Sequence, residues 1–172
     1  MSVSLRLEVN ENDAAKIIEW LKNKNVTKYL NEDINSIDSL EYVIKNKKSD
    51  LLTYYLNQDG RFFLVDSEQE NCIGFINLFT KVHKKEYEIV IVIGDEKNWG
   101  KQYGRKAIES IMREVFLNWR IDTLHAKIHA HNERSINLFE HLNFSKERTS
   151  SDLHIYSITF NKYFEHLTKK KS

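Results

Sequence analysis

Gly100 and Gly104, two of only five glycines in a chain of 172 residues, lie in the stretch Asn98-Trp99-Gly100-Lys101-Gln102-Tyr103-Gly104-Arg105-Lys106-Ala107. The apolar run Ile89-Val90-Ile91-Val92-Ile93 precedes it and predicts a strand. After it, Ala107, Ile108, Ile111, Met112, Val115 and Phe116 recur at helical spacing and predict a helix over 103–119. The first N–H groups of such a helix have no acceptors inside it, and the helix dipole favours an anion there. Glycines carry no Cβ to keep a phosphate from the backbone, and Lys101, Arg105 and Lys106 add positive charge. The stretch is either a pyrophosphate cradle or an ordinary strand-to-helix turn with solvated basic residues. Other phosphate signatures are absent: there is no GxxxxGK[ST], and no GxGxxG with an acidic residue about 20 positions on.

Two further groups of residues could do chemistry. Glu86 and Glu88 fall on one face of the strand that leads to the loop, with Tyr87 and Ile89 on the other, so a carboxylate there can accept a proton. The bland alternative for either is a salt bridge to Lys84, Lys85 or a neighbouring strand. His125, His129 and His131 share one face of a strand expected over 124–130. At ~3.3 Å per residue, positions 129 and 131 are close enough to co-ligate a metal but 125 lies about 13 Å from 129, so polar packing, or contact of His129 or His131 with a substrate, is expected and a metal is not. Cys72 reads as a buried small hydrophobe on an apolar strand.

The elements that must hold these residues follow from periodicity. A strand is expected over 4–9, then a helix capped by Asn12 or Asp13 with Ala14, Ile17, Ile18 and Leu21 inward, a short helix over 26–30, and a third capped by Ser36 or Ser39. Next comes an antiparallel meander over 52–56, 61–66, 72–80 and 87–93. After the helix at 103–119 and the strand at 124–130, a helix over 135–142 stops at a left-handed Asn143, and strands over 144–147 and 153–160 close the chain. The sum is an α+β fold in one domain over 1–172.

Composition limits the partners. A chain with 41% hydrophobic and 30% charged residues is of the soluble globular class, and no run approaches the ~18 apolar residues of a membrane span. A net charge of +1 from 26 basic and 25 acidic residues supplies no field for nucleic acid. The Lys169-Lys170-Lys171 end is expected to fray in solvent. The start lacks the basic and apolar segments of a secretory signal, and the single cysteine fits a reducing compartment, so a cytoplasmic location is expected.

The loop and the segment 129–144 together resemble the GNAT family of acyl-coenzyme A-dependent N-acetyltransferases, in particular its branch of ribosomal-protein and related small-substrate enzymes. That family shows a strand, a Gln/Arg-x-x-Gly-x-Gly/Ala loop often written WGKGYG, a helix, a strand, and Asn-x-x-Ser/Ala-x-x-leucine-aromatic-x-x-x-Gly-Phe. Trp99-Gly100-Lys101-Gln102-Tyr103-Gly104 and Asn132, Ser135, Leu138, Phe139 and Phe144 follow that pattern here, over residues 86–145. The resemblance implies a central, mostly antiparallel mixed sheet with a splayed fourth strand, flanked by helices. It implies acetyl-coenzyme A as cosubstrate, no metal, and a small-molecule or peptide primary amine as acceptor, attacked directly in a ternary complex, with a homodimer as the assembly.

Carried over position by position, the coenzyme contacts are Ile91, Val92 and Ile93 on the fourth strand, Trp99, Gly100, Lys101, Gln102, Tyr103, Gly104 and Arg105 in the loop, and Asn132, Ser135 and Phe139. Glu88 and Glu86 are the base candidates, and Ser135 and Tyr103 are outside candidates for the acid. Four positions depart from the pattern. Trp99 replaces the Gln/Arg that opens the loop, although tryptophan is common there in this branch. Gln102 stands where the family has a glycine and needs an outward side chain. Asn143 replaces the helix-ending glycine. Phe139 occupies a place where the family often has a tyrosine acid and carries no proton to give, so solvent or the product ammonium is left to protonate the thiolate. Glu32, Asp33, Asp38 and Glu41 lean slightly toward a polyamine or an aminoglycoside among the amines, but with lysines interspersed an ordinary mixed surface is the stronger expectation for them. The competing expectation, from Phe139 and Gln102, is a catalytically weak or inactive coenzyme-binding domain.

Overall fold

A computed structural model describes residues 2–30, 35–46, 48–81, 83 and 85–169. In chain order the elements are β1 (Val3–Arg6), α1 (Glu11–Lys22), α2 (Lys24–Thr27), α3 (Asn35–Lys45), α4 (Leu52–Leu56), β2 (Gly60–Ser67), β3 (Gly74–Thr80), β4 (Glu86–Ile93), α5 (Tyr103–Arg113), β5 (Thr123–His129), α6 (Glu133–His141), β6 (Ser145–Ser150), β7 (Leu153–Thr159) and α7 (Phe160–Lys169). The strands form one mixed sheet in the order β1-β2-β3-β4-β5-β7-β6. The connections from β2 to β3 and from β3 to β4 are too short for a parallel crossover, so those pairs run antiparallel. β4 and β5 are parallel, and among the described residues their ladder holds three pairs, Glu86 to Glu88 against Thr123 to His125. β5 meanwhile pairs along its whole length with β7. The fourth strand is therefore the splayed one.

Contacts group the chain into two compact units, 1–77 with 91–107 and 78–90 with 108–172. In the first unit Arg6, at the end of β1, bonds both Asp13 of α1 (2.8 Å) and Asp66 of β2 (2.9 Å). Asp13 also closes the capping box of α1, accepting the Asn10 N–H while Asn10 accepts the Asp13 N–H. The cap is thus Asn10 rather than Asn12 or Asp13, and β1 ends at Arg6 because its side chain is drawn into this network. Behind it α1, α3 and α4 bury Ile17, Trp20, Leu40 and Leu52 with Phe62, Leu64 and Phe75 of β2 and β3.

In the second unit Leu124, Ala126 and Ile128 of β5 and Tyr156 and Ile158 of β7 form the buried face, as do Ile108, Ile111, Val115 and Phe116 around α5. The opposite face of β5 and β7 carries Thr123, His125, Lys127 and Ser157. Tyr163 of α7 stacks on Phe116 with ring centroids 4.9 Å apart.

Several sequence expectations change. Residues 52–56, read as a strand from their β-branched and aromatic types, form α4: Leu52 is fully buried, Thr53 Oγ1 accepts the Val9 N–H, and the Asn57 amide donates to the Thr53 carbonyl. Packing overrides propensity there. The expected strand from 72 starts at Gly74, and Cys72 is a buried residue with φ 54°, outside the ladder. Its burial, and then the charge of Asp13, push the thiol up to about 12. The helix at 103–119 is regular to Arg113 and finishes in a π-helical turn, Glu114–Asn118, where Glu114 accepts from Asn118 and Trp119. The helix expected from 135 begins at Glu133 with Asn132 as its cap. Asn143 is left-handed as expected, at φ 65°. The tail is ordered as α7 up to Lys169, because its aromatic face has Phe116 to cover; Lys170 and Lys171 lie outside the described residues, as do Glu32 and Asp33.

Burial pushes Asp13 and Asp66 up, but the Arg6 hydrogen bonds, with the N–H groups of Asn10 and Cys72, outweigh it and hold both carboxyls below the usual range. A depressed carboxyl contributes stability that is present above the unfolded value, about 3.9, and lost as pH falls through the folded one. Asp66→Asn is therefore expected to lower unfolding free energy by about 2 kcal/mol at pH 7, with the gap to the wild type closing below pH ~4. Urea unfolding at several pH values measures this, and a gap independent of pH would contradict it.

Candidate functional site

The loop belongs to the first unit and is built outward from β4. Ile91 and Ile93 are half-buried and Val92 is buried, and the strand passes straight into Gly94. A Cβ at Gly94 would lie 2.0 Å from ring carbons of Trp20, so the indole of α1 sits on the backbone at the strand end and only glycine fits. Trp20 Nε1 then donates to Asp95 Oδ1 (3.1 Å), and the Gly94 N–H donates to the Ile73 carbonyl (3.0 Å). After a 3-10 turn at Glu96–Asn98, Trp99 Nε1 reaches back to the Ile93 carbonyl (2.7 Å) and closes the loop on itself.

Beyond Trp99 the backbone turns left-handed twice, at Gly100 (φ 75°) and Gln102 (φ 62°). Turns of this kind gather N–H groups on one side of the chain, as anion-binding nests do. Around Gly100 nothing lies within 4 Å of where a Cβ would be, so its glycine is required by conformation, and space is left beside the backbone for a ligand atom. At Gln102 the side chain is exposed, as expected from its bulk, but the reason for the family's glycine is the backbone: a non-glycine residue in this conformation costs about 1–2 kcal/mol. Tyr103 is buried and begins α5, whose Lys106 N–H bonds the Gln102 carbonyl (3.1 Å). Lys101 is exposed, and Gly104, Arg105 and Lys106 are half-buried.

In the second unit, Asn132 caps α6 by accepting the Ser135 N–H (3.2 Å), which explains the three-residue spacing of that pair. Ser135 is half-buried; Phe139 is buried edge-on against Phe144 with centroids 4.9 Å apart. Glu88 is ion-paired across the parallel ladder to Lys127 Nζ (2.8 Å), with Lys81 Nζ at 3.9 Å on the same oxygen. Glu86 Oε2 lies 3.1 Å from His125 Nε2. The expected faces hold, since His125 is directly beside Glu88 in register. His129 and His131 stand with ring centroids 5.5 Å apart, and the His131 N–H points at His129 Nδ1. Among the described residues no three of His, Cys, Asp and Glu are grouped to hold a metal ion.

Within the first unit the loop residues and Ile91 to Ile93 form one continuous stretch; within the second, Asn132, Ser135 and Phe139 share α6 and its cap, and Glu86 and Glu88 share β4. The sequence reading missed Trp20 and Lys127, and it named His125 without its partner Glu86. Gly94, a glycine directly at a strand end, was the available signal for Trp20, because it marks a close approach. The ion pair of Lys127 and the partner of His125 had no signal, since strand pairing decides those neighbours.

Residues 4–145 match the family described as the acetyltransferase (GNAT) domain. A curated relative, an uncharacterised protein of Methanocaldococcus jannaschii, is 25% identical over 147 residues, or 82% of this chain; the chain spans 28% of that relative's length. Among solved structures, spermidine N-acetyltransferase from Vibrio cholerae, in complex with CoA and spermine, is similar at a TM-score of 0.75 with 22% identity, covering 95% of this chain and 98% of that one. A GNAT-family acetyltransferase from Bacillus anthracis scores 0.71 with 17% identity, over 94% and 96% of the two chains. A dodecameric structure of the Vibrio cholerae enzyme in an intermediate state scores 0.70 with 18% identity, over 96% and 98%. At these identities the likeness is one of fold.

The two glycines differ in what they protect, and alanine separates them. Gly94→Ala forces a methyl into the Trp20 indole and is expected to destabilise by about 2–3 kcal/mol, with a change in tryptophan fluorescence. Gly100→Ala meets no atom and is expected to cost only about 1 kcal/mol, from its left-handed backbone, with fluorescence unchanged. Equal losses in the two variants would refute this account of the loop.

Proposed function

Because the chain belongs to the GNAT acetyltransferase family, we propose that it moves an acetyl group from acetyl-coenzyme A to a primary amine by direct attack in a ternary complex. The observation that carries the proposal is the doubly left-handed loop opening α5, with open space beside Gly100 and three basic side chains nearby. Residues 1–172 act in it as one N-acetyltransferase domain.

Backbone N–H groups from Gly100 to Arg105 bind the pyrophosphate, and Lys101, Arg105 and Lys106 neutralise it. Trp99 and Tyr103 hold the loop's ends. Ile91, Val92 and Ile93 offer backbone for the pantetheine arm to pair with as an added strand, and one of their N–H groups polarises the thioester oxygen. Asn132 and Ser135 contribute from the start of α6, with Phe139 as apolar wall. Glu88 or Glu86 takes the ammonium proton, which frees the nitrogen lone pair for attack. With Phe139 unable to donate, solvent or the product ammonium protonates the leaving thiolate; a free thiol's ordinary value of about 8.5 makes a dedicated acid helpful but dispensable. The acceptor is a small-molecule or peptide amine. The Vibrio cholerae neighbour holds spermine, and exposed Asp38 and Glu41 suit a cationic acceptor of that class, although Glu41 is shared with Lys22. A homodimer belongs to the same proposal.

A second reading, favoured by Phe139 and Gln102, is a domain that binds the coenzyme without turnover. Thiol release measured with acetyl-coenzyme A and a panel of amines separates the two: amine-stimulated release is expected, and coenzyme binding with no stimulation by any amine would establish the second reading. Phe139→Tyr is expected to change turnover by less than about tenfold, and a rise of ~10²-fold or more would show that a dedicated acid is needed after all.

A further inference from the structure

A cavity of about 470 Å³ lies in the second unit, where β4 and β5 begin and β7 ends. Backbone bonds build its frame. The Lys85 carbonyl accepts the Asp122 N–H (2.8 Å), and the Asp122 carbonyl accepts the Phe160 N–H (2.9 Å). The approach to β4, the entry to β5 and the start of α7 are thereby tied together around it. Lys85, Arg120 and Asp122 are among the residues that line it, and among the described residues none of the three forms an ion pair. The cavity thus carries two cations and one carboxylate that have not neutralised one another.

Arg120 stands there at a conformational cost. The π-helical turn Glu114–Asn118 closes with the Trp119 N–H on the Glu114 carbonyl and the Ile121 N–H on the Val115 carbonyl, both at 3.2 Å. Between them Arg120 is left-handed, at φ 54°. A helix end of this kind usually takes glycine or asparagine, because a Cβ crowds the left-handed backbone. Here the position holds an arginine, and that arginine lines the cavity. Buried Ile121 and half-buried Phe160 give the cavity an apolar side. At the opening of α7, Thr159 Oγ1 accepts the Lys162 N–H (3.4 Å), whereas the Asn161 N–H has no acceptor among the described residues.

We propose that this cavity is a second binding site, sharing no residue with the pyrophosphate loop, for a small phosphorylated sugar compound. The phosphate binds between Lys85 Nζ and the Arg120 guanidinium. With a second pKa near 6 it carries most of two negative charges at pH 7, one for each cation, where a carboxylate would answer only one. Asp122 accepts hydrogen bonds and cannot meet the phosphate, so it needs donors on the ligand, and neighbouring sugar hydroxyls supply two to one carboxylate. Phe160 faces the remaining, less polar part. The volume falls within the range of about 300–1,000 Å³ typical of small-molecule sites and is far more than inorganic phosphate fills. A sugar phosphate and a mononucleotide share this chemistry. The site stands or falls independently of acetyl transfer, because none of its residues takes part in that reading.

Amide NMR of the full chain, titrated with ribose 5-phosphate, AMP, adenosine and inorganic phosphate, tests this. Ribose 5-phosphate and AMP are expected to shift the signals of 120–123 and 159–161 with a Kd of about 1 mM or lower, and adenosine to leave them in place. Tighter binding of AMP would assign the base to Phe160 and a nucleotide to the site; equal affinities would assign the sugar phosphate. Arg120→Gly, which suits the left-handed backbone, is expected to raise the melting temperature of the free protein while weakening both ligands about tenfold or more. Lys85→Gln is expected to weaken both about tenfold, and Asp122→Asn to weaken ribose 5-phosphate without weakening inorganic phosphate. Lys101→Gln, in the loop, leaves these affinities unchanged. The inference is overturned if neither ligand gives saturable shifts at 120–123 and 159–161, or if inorganic phosphate binds there as tightly as both. Wild-type affinity in Arg120→Gly would overturn it as well.

Discussion

The first unit depends on one charged contact, Arg6 between Asp13 and Asp66. An arginine fork with two carboxylates joins a strand, a helix and a second strand at one point, and its partial burial makes each bond matter more than an exposed pair would. Because Asp13 also completes the cap of α1, the same contact sets where that helix begins and hence which residue stands ten positions along it. That residue region brings Trp20 onto Gly94, and the indole fixes both the strand end and, through Asp95, the entry to the loop. The left-handed loop is therefore held by a chain of contacts that starts nearly a hundred residues earlier, at Arg6.

In the second unit the corresponding constraint is the parallel ladder between β4 and β5. Three pairs are enough to put Glu86 and Glu88 beside His125 and Lys127. Farther across, the antiparallel register of β7 and the bulge in β6 extend that polar line to Ser157 and Glu147. One face of these strands is a packed apolar core; the other carries charges that neutralise one another in pairs. Polar groups on a half-buried face are tolerable only when partnered.

Much of the architecture was legible. The strand, loop and helix at 89–119, the strand and helix that follow, and the left-handed stop at Asn143 come from patterns local in sequence: β-branched runs, helical spacing and a residue type that tolerates positive φ. Where the reading erred, non-local packing had the deciding vote. The residues at 52–56 look like a strand but have Val9 and Asn57 as hydrogen-bond partners and a buried slot for Leu52. The tail beyond 160 looks solvated until Phe116 is found to need cover. Gln102 illustrates the intermediate case: its place in the motif was plain, but that the position demands a left-handed backbone was visible only in the dihedral angle.

Apart from 52–56 and the tail beyond 160, the amino-acid sequence by itself determined the kinds of element, their order, and the loop whose composition suits a pyrophosphate, because each rests on residues within about ten positions of one another and on propensities that act locally. Which carboxylate meets a lysine and which a histidine was decided only by tertiary structure. A strand's sequence states which residues share a face, but the neighbour across the ladder depends on register, and a shift of one residue would replace every partner. The same holds for Trp20 and Gly94: a glycine at a strand end announces that something comes close, and only the folded chain says what.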